Sequence, residues 1–358
     1  MQPDLSVVIP CYNEQECLHE LHARVSAACQ DAVGERYEIV LINDGSRDRT
    51  WAIMQELASR DPRLMCVNLS RNHGHQLALT AGLSVCHGER ILVIDADLQD
   101  PPELLGDMLA CMEAEQADVV YGQRRQREGE TVFKKASAAA FYRLLSSMAE
   151  IDIPLNTGDF RLMSRRALDV FLAMPEQSRF VRGMVSWIGM KQVPFLYDRA
   201  ERFAGVTKYP LRKMIRFAID AITGFSISPL RWASHAGLWL SLLTIPLFIY
   251  VLAGWVGGKT VPGWTSVILA VTILGAVQMI MLGLLGEYVG RLYMQSKTRP
   301  LFVIKDVLSL RAMPMRVPLG YVASDAFQQP NIQATAHDAS NMPEAAPLRS
   351  VGRVGRLA

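Results

Sequence analysis

Residues 90–102 read Arg90-Ile-Leu-Val-Ile-Asp95-Ala-Asp97-Leu-Gln99-Asp-Pro-Pro102. Four apolar residues, Ile91 to Ile94, run straight into a polar cluster that two prolines close. A short apolar run bounded by charge and turn formers reads as a buried strand. Pro102 belongs at a helix start, and Glu103–Ala114 beyond it carries helical spacing. The same unit recurs along the first 200 residues. Leu5–Ile9, Tyr37–Ile42, Leu64–Leu69 and Val119–Tyr121 read as further strands. Glu16–Ala32, Thr50–Ser59 and His75–Val85 read as helices, with Asp48 placed to cap the second. Strands alternating with helices predict an α/β fold, with a mostly parallel sheet covered on both faces. In such sheets ligands bind beyond the carboxyl ends of the strands.

Polar clusters stand at those ends. Pro10-Cys-Tyr-Asn-Glu14 follows the first strand, Asn43-Asp-Gly-Ser46 the second, Ser70-Arg-Asn-His-Gly74 the third, and Asp95 to Asp100 the fourth. Any one is an ordinary loop; four converging on one edge favour a site. In an extended segment Asp95, Asp97 and Gln99 share a face. Their hard oxygens suit Mg²⁺ or Mn²⁺, which keeps waters and bridges to substrate phosphates. Such an ion would neutralise a diphosphate leaving group. Neither a P-loop nor a GxGxxG motif is present, which disfavours a nucleoside triphosphatase or a nicotinamide enzyme.

Ser6-Val-Val-Ile-Pro-Cys-Tyr-Asn-Glu14, Ile42-Asn-Asp-Gly-Ser46 with Asp48 and Thr50, and Asp95-Ala-Asp-Leu-Gln-Asp-Pro-Pro102 closely resemble family 2 glycosyltransferases of the GT-A fold. Within them the chain looks like the polyprenyl-phosphate glycosyltransferases, which include dolichol-phosphate mannose synthases and bactoprenol-phosphate glucosyltransferases. Arg71-Asn-His-Gly74, Asn156-Thr-Gly-Asp-Phe-Arg161 and Lys208-Tyr-Pro-Leu-Arg-Lys-Met214 match the bactoprenol branch. The resemblance spans roughly residues 5–305.

The resemblance implies roles position by position. Pro10, Tyr12 and Glu14 would line the nucleotide pocket, and Asp44 would hydrogen-bond the uracil or ribose. Asp95 and Asp97 would sit at the junction of nucleotide and metal, with Asp97 and Gln99 as direct ligands. Asp159 takes the place of the catalytic carboxylate. Arg124, Lys134, Lys135, Arg202 and Lys208 would meet the acceptor phosphate. Val206 departs from the acidic residue that many relatives place before the Thr207-Lys208 pair. Plainer roles remain open. Asp44 also fits an Asx-turn. Arg124, Arg125 and Arg127 also fit a solvated face, and Asp159 also fits a cap or a salt bridge to Arg161 or Arg165. His73 and His75 read as polar loop residues rather than metal ligands.

The implied reaction transfers a sugar, glucose by preference, from a UDP-sugar to a polyprenyl (undecaprenyl) phosphate with inversion. A phosphate monoester has a second pKa near 6 and is largely dianionic at neutral pH. It needs cations beside it more than a strong base, so Asp159 would orient or assist. Two rivals are a processive polysaccharide synthase and a non-catalytic membrane scaffold of the same fold. The first usually carries Gln-x-x-Arg-Trp, which Phe180 to Trp187 does not match; the intact Asp95, Asp97 and Gln99 argue against the second.

The remainder of the chain points to a membrane. Trp232–Gly258 and Thr260–Gly286 are each 27 residues without Asp, Glu, Lys or Arg. Within them Ala233–Val256 and Trp264–Gly286 are long enough to span a bilayer. Segments 199–231 and 291–316 each carry a net charge of +5, and the loop between the apolar windows offers only Lys259. The positive-inside rule then puts both flanks in the cytoplasm. The expected organisation is a catalytic domain over 1–210, an amphipathic interfacial segment over 211–231, two membrane helices over 232–290, a basic cytoplasmic segment over 291–316 and a disordered tail over 317–358. That places the protein in the inner membrane with both termini cytoplasmic. The six cysteines form no CxxC pair and read as buried, reduced side chains. The N-terminus lacks a signal-peptide pattern. A net charge of +2 gives no sign of a nucleic-acid partner. The resemblance also implies a homo-oligomer, with a tetramer as one form.

Overall fold

Val7, Ile9, Ile39 and Leu41 point into one apolar layer, whereas Val8, Val40 and Ile42 point into the other. That alternation is the pleat of a sheet buried on both faces. The computed structural model describes residues 2–125, 157–198, 228–257 and 263–310. Lys134, Lys135, Arg202, Lys208, the Lys259 loop, most of segment 211–231 and the tail lie outside the described residues.

The sheet begins with β1 (Leu5–Cys11), β2 (Tyr37–Asn43), β3 (Leu64–Leu69), β4 (Arg90–Val93) and β5 (Val119–Arg124). It is completed by β6 (Thr157–Ser164), β7 (Gln192–Tyr197) and β8 (Ile304–Ser309). Their order is β7-β5-β6-β4-β1-β2-β3-β8. β1 pairs in parallel with β2 and β4, as do β2 with β3 and β5 with β7. β6 runs antiparallel to β4 and β5, and β8 antiparallel to β3. The sheet is therefore mixed, with a parallel centre. The carboxyl ends of β1 to β4 share one edge, as the alternation of elements predicts.

Helices α1 (Leu18–Val33), α2 (Thr50–Ala58) and α4 (Leu105–Ala114) cover one face; α3 (His75–Val85), α5 (Arg165–Ala173) and α6 (Val181–Trp187) cover the other. Leu18, Leu21, Val25 and Cys29 of α1 are buried at helical spacing, which ties that helix to the sheet. Ser164 caps α5 by accepting a hydrogen bond from the Ala167 amide at 3.2 Å. Five of the six cysteines are buried and none of the six forms a disulfide.

Several boundaries differ from the sequence expectations. β1, β2 and β5 run further, to Cys11, Asn43 and Arg124, and β4 stops at Val93. α1 starts at Leu18 rather than Glu16. Pro102 opens a single 3-10 turn, Pro102–Leu104, and α4 begins only at Leu105. Asp48 does not cap α2 from the position before it, which Arg49 holds; its Oδ1 instead accepts from the Thr50 amide at 3.0 Å.

Two long apolar helices follow, α7 (Ser228–Val256) and α8 (Trp264–Ser296). α8 passes the expected end at Gly286 and carries Glu287 and Arg291, which pair one turn apart at 2.9 Å. Among the described residues one stretch, Ile273–Ser296, is long and apolar enough to cross a membrane, and none of its window is buried. The chain then returns to the sheet as β8, with Phe302 and Ile304 in the core. The α/β unit is thus discontinuous, and the segment read as a basic flank contains one of its strands.

Candidate active site

The polar cluster after β4 keeps an alternation of burial beyond the strand. Asp95, Asp97 and Gln99 are partly exposed; Ala96, Leu98 and Asp100 are buried. The segment is not extended, however. Ala96 and Asp97 form a turn, and the buried Leu98 has a φ of 57°. A left-handed leucine is a strained conformation that the surroundings must hold. Asp97 Oδ1 accepts from the Gln99 amide at 3.2 Å. Asp95 Oδ1 is buried with no hydrogen-bond partner and lies 3.6 Å from His75 Nε2. Burial, followed by the nearby Asp159, Asp100 and Asp97 charges, pushes Asp95 up to about 6 against the pull of His75.

Asp159, on β6, is the most heavily bound side chain of the site and is only 2% exposed. Its Oδ1 accepts from Arg182 Nε at 2.8 Å, with Arg161 Nη2 at 3.8 Å. Its Oδ2 accepts from His75 Nε2 at 2.9 Å and from Gln76 Nε2 at 3.3 Å. Gln76 is fixed in turn, since its Oε1 accepts from the Val181 amide at 2.8 Å. Burial opposes ionisation of Asp159, but Arg182, His75 and Arg161 outweigh it and hold the carboxyl well below the usual carboxylate range. Burial likewise works against a charged His75, yet the Asp159 hydrogen bond and the Asp95 charge raise it to about 9. Arg161 is 4% exposed; burial lowers it to about 10, still charged at neutral pH.

Loops after β1, β2 and β3 are stitched together beside this cluster. Asp44 Oδ1 accepts from the His73 amide at 2.7 Å and Oδ2 from the Gly74 amide at 3.0 Å. Burial raises the Asp44 pKa despite these bonds. Asp44 therefore forms no Asx-turn; its neighbour Asn43 braces the loop, its Oδ1 accepting from the Ser46 amide at 3.1 Å. Gly45 has a φ of 63°, and a Cβ there would lie 2.6 Å from the backbone of Arg71 and Asn72. Only glycine fits that approach. The Asn13 amide donates to Ser46 Oγ at 3.0 Å, and its Oδ1 accepts from the Arg47 amide at 2.9 Å.

Comparison with known proteins matches residues 6–172 to Glycosyl transferase family 2. The chain is 46% identical over 301 residues to the uncharacterized glycosyltransferase YkcC of Bacillus subtilis (strain 168), covering 84% of this chain and 93% of that protein. This chain belongs to glycosyltransferase family 2. The glycosyltransferase is also 37% identical over 306 residues to the bactoprenol glucosyl transferase of Shigella phage SfV, covering 84% and 98% of the two chains. It is 38% identical over 307 residues to the prophage bactoprenol glucosyl transferase homolog of Escherichia coli (strain K12), covering 85% and 99%.

The glycosyltransferase brings Asp44, Asp95, Asp97, Gln99 and Asp159 to one edge of the sheet. Tyr12 is exposed there, Glu14 is half-buried with its amide donating to Thr50 Oγ1 at 2.9 Å, and Pro10 is buried inside β1. Arg124 ends β5. Its Nε lies 3.4 Å from the Tyr197 hydroxyl, which donates to Asp100. Its guanidinium packs against Gly158, where a Cβ would lie 2.9 Å from Nη2. Sequence reasoning missed Gln76 and Arg182 and passed over His75. Asp159 pairs with Arg161 as one open alternative anticipated; Arg165 instead donates to the Gly88 carbonyl at 2.9 Å.

Ligand atoms of His75, Asp95 and Asp159 lie within 4.8 Å of one another, as a metal cluster requires. His75 and Asp159 already satisfy each other, and a protonated imidazole has no lone pair to give. The unpartnered oxygen of Asp95, with Asp97 and the Gln99 amide beside it in sequence, fits a hard divalent cation better.

Proposed function

We propose that this family 2 glycosyltransferase moves a sugar, glucose by preference, from a UDP-sugar to a polyprenyl phosphate. One observation carries the reading: Asp159 is buried and bonded to His75, Gln76 and Arg182 at 2.9, 3.3 and 2.8 Å. A carboxylate held by that many donors is a weak base. It suits an acceptor that arrives already ionised, as a phosphate monoester does. The names of the relatives, bactoprenol glucosyl transferases at 37–38% identity, support the same acceptor and sugar.

In this reading an acceptor phosphate oxygen attacks the anomeric carbon in line. The bond from that carbon to the diphosphate oxygen breaks, UDP leaves with the electron pair, and the anomeric configuration inverts. Asp97, Gln99 and Asp95 would hold a Mg²⁺ or Mn²⁺, which when bound supplies positive charge against the leaving diphosphate. Tyr12, Glu14 and Asp44, with Pro10 behind them, border the nucleotide. Arg124, with Lys134, Lys135, Arg202 and Lys208, meets the acceptor phosphate. Asp159 keeps Arg182 and His75 in place, so that two anions are held together among fixed cations.

The membrane half fits this acceptor. α7 and α8 serve as two spans, and the return of the chain to β8 calls for an even number of crossings. The two flanks with a net charge of +5 mark the cytoplasmic side of the inner membrane, where they also face anionic lipid. Incubating the purified protein with Mg²⁺, undecaprenyl phosphate and a panel of labelled UDP-sugars tests the proposal. Label is expected in a single-sugar lipid, strongest from UDP-glucose. Label from no donor, or only in a growing polymer, would overturn it.

A further inference from the structure

β8 reaches the sheet from beyond the last apolar helix, and it puts a carboxylate in register with two buried amides. Asn43, Asn68 and Asp306 are cross-strand partners on β2, β3 and β8. Asn43 Nδ2 donates to Asn68 Oδ1 at 2.7 Å, and Asn68 Nδ2 donates to Asp306 Oδ2 at 2.7 Å. Both asparagines are buried. The register shifts between Asn68 and Leu69, next to this ladder. Such irregularities often re-aim a side chain beside a site. At the far end, Asn43 Oδ1 accepts from the Ser46 amide at 3.1 Å, and Ser46 Oγ accepts from the Asn13 amide at 3.0 Å. One line of hydrogen bonds therefore runs from the edge strand to the loops that flank Asp44.

The line has a direction, and Asp306 sets it. A carboxylate only accepts, so the Asn68 NH₂ must face it. The Asn68 carbonyl then faces inward and calls for the Asn43 NH₂. That leaves the Asn43 carbonyl, not its NH₂, for the Ser46 N–H. Reversing either amide would set donor against donor in a buried place, which is costly. We propose that Asp306 is a positioning residue for the nucleotide-diphosphate donor, orienting the Asn68 and Asn43 amides and so fixing the 43–46 loop. This rests on the reading of that loop as part of the UDP-sugar pocket. It also gives β8 a function: the strand that follows the membrane helices shapes the donor site.

The test titrates the full-length protein in detergent with UDP and Mg²⁺ by calorimetry, and measures KM and kcat with donor and lipid varied in turn. Asp306→Ala is expected to weaken UDP binding and raise donor KM about fivefold to tenfold, with kcat and lipid KM within about twofold. Asp306→Asn, which can turn its carbonyl to Asn68, is expected to restore both. Asp306→Lys, which only donates, is expected to be worse than alanine. Should the alanine variant not fold, Asp306→Ser keeps a polar edge, and its expected loss is about threefold. Wild-type affinity for UDP in a folded Ala or Ser variant would overturn the proposal, as would an asparagine variant no better than alanine. If the wild-type protein binds no UDP, the donor reading itself falls and this proposal with it.

Discussion

Asp97→Asn is expected to lower kcat about a thousandfold while leaving the fold intact. In the proposed reading Asp97 is a ligand of the divalent cation, and the substitution takes away that ligand's negative charge. Metal stabilisation of a leaving group amounts to several kcal/mol, and about 4 kcal/mol is a factor of a thousand. The fold has little stake in that charge. Asp97 is partly exposed, and the bond its Oδ1 accepts from the Gln99 amide at 3.2 Å is within reach of an asparagine carbonyl. Substitutions of this kind move stability by about 0.5 kcal/mol or less. Turnover with saturating Mg²⁺, measured with a thermal melt of the same sample, checks both halves. A folded variant with near wild-type turnover would remove Asp97 from the catalytic machinery.

Asp159→Asn and Arg182→Ala are each expected to cost about a hundredfold in kcat, and the double variant about the same as either one. The two side chains meet at 2.8 Å, and the Arg182 charge, with His75 and Arg161, stabilises the ionised Asp159. If Asp159 works by holding Arg182 and His75, removing either partner undoes the same arrangement. The coupling should then approach 3 kcal/mol, near the top of the range for contacting residues. Asp159→Asn also strands the buried Arg161, so a stability loss of about 3 kcal/mol is expected and the melt must accompany the kinetics. Losses that multiply to about ten-thousandfold would show that the two act independently. Near-full turnover by Asp159→Asn would remove it from the chemistry.

The contrast between β4 and β6 explains what was legible in advance. Ile91 to Ile94 is apolar throughout, so the strand and the cluster after it stand out. β6 places Asp159 and Arg161 inside the core, where charges interrupt the apolar pattern that marks a strand. Those charges are tolerated because they are paired, and pairing is a property of three dimensions. The i, i+2 spacing of Asp159 and Arg161 before the Ser164 cap was the available signal. β7 carries Pro194 on an edge, where proline demotes a strand reading. β8 is separated from its partner β3 by two long apolar helices, and no local pattern announces such a pairing.

The site divides in the same way. Asp44, Asp95, Asp97 and Gln99 are visible because each follows a recognisable strand. His75 and Arg182 start helices on the other face and resemble solvated polar residues until the fold brings them to Asp159. The strand-end position of Asp44 points to a nucleotide contact but not to the bracing of the 73–74 backbone by both its oxygens.

The central claim is that the acceptor brings its own ionised oxygen to a site whose carboxylate is a poor base. It is tested most directly by offering the purified enzyme undecaprenyl phosphate and undecaprenol side by side, with Mg²⁺ and labelled UDP-glucose. The account predicts rapid labelling of the phosphate lipid, with the sugar inverted, and no labelling of the alcohol. Transfer to the alcohol at a comparable rate would contradict it.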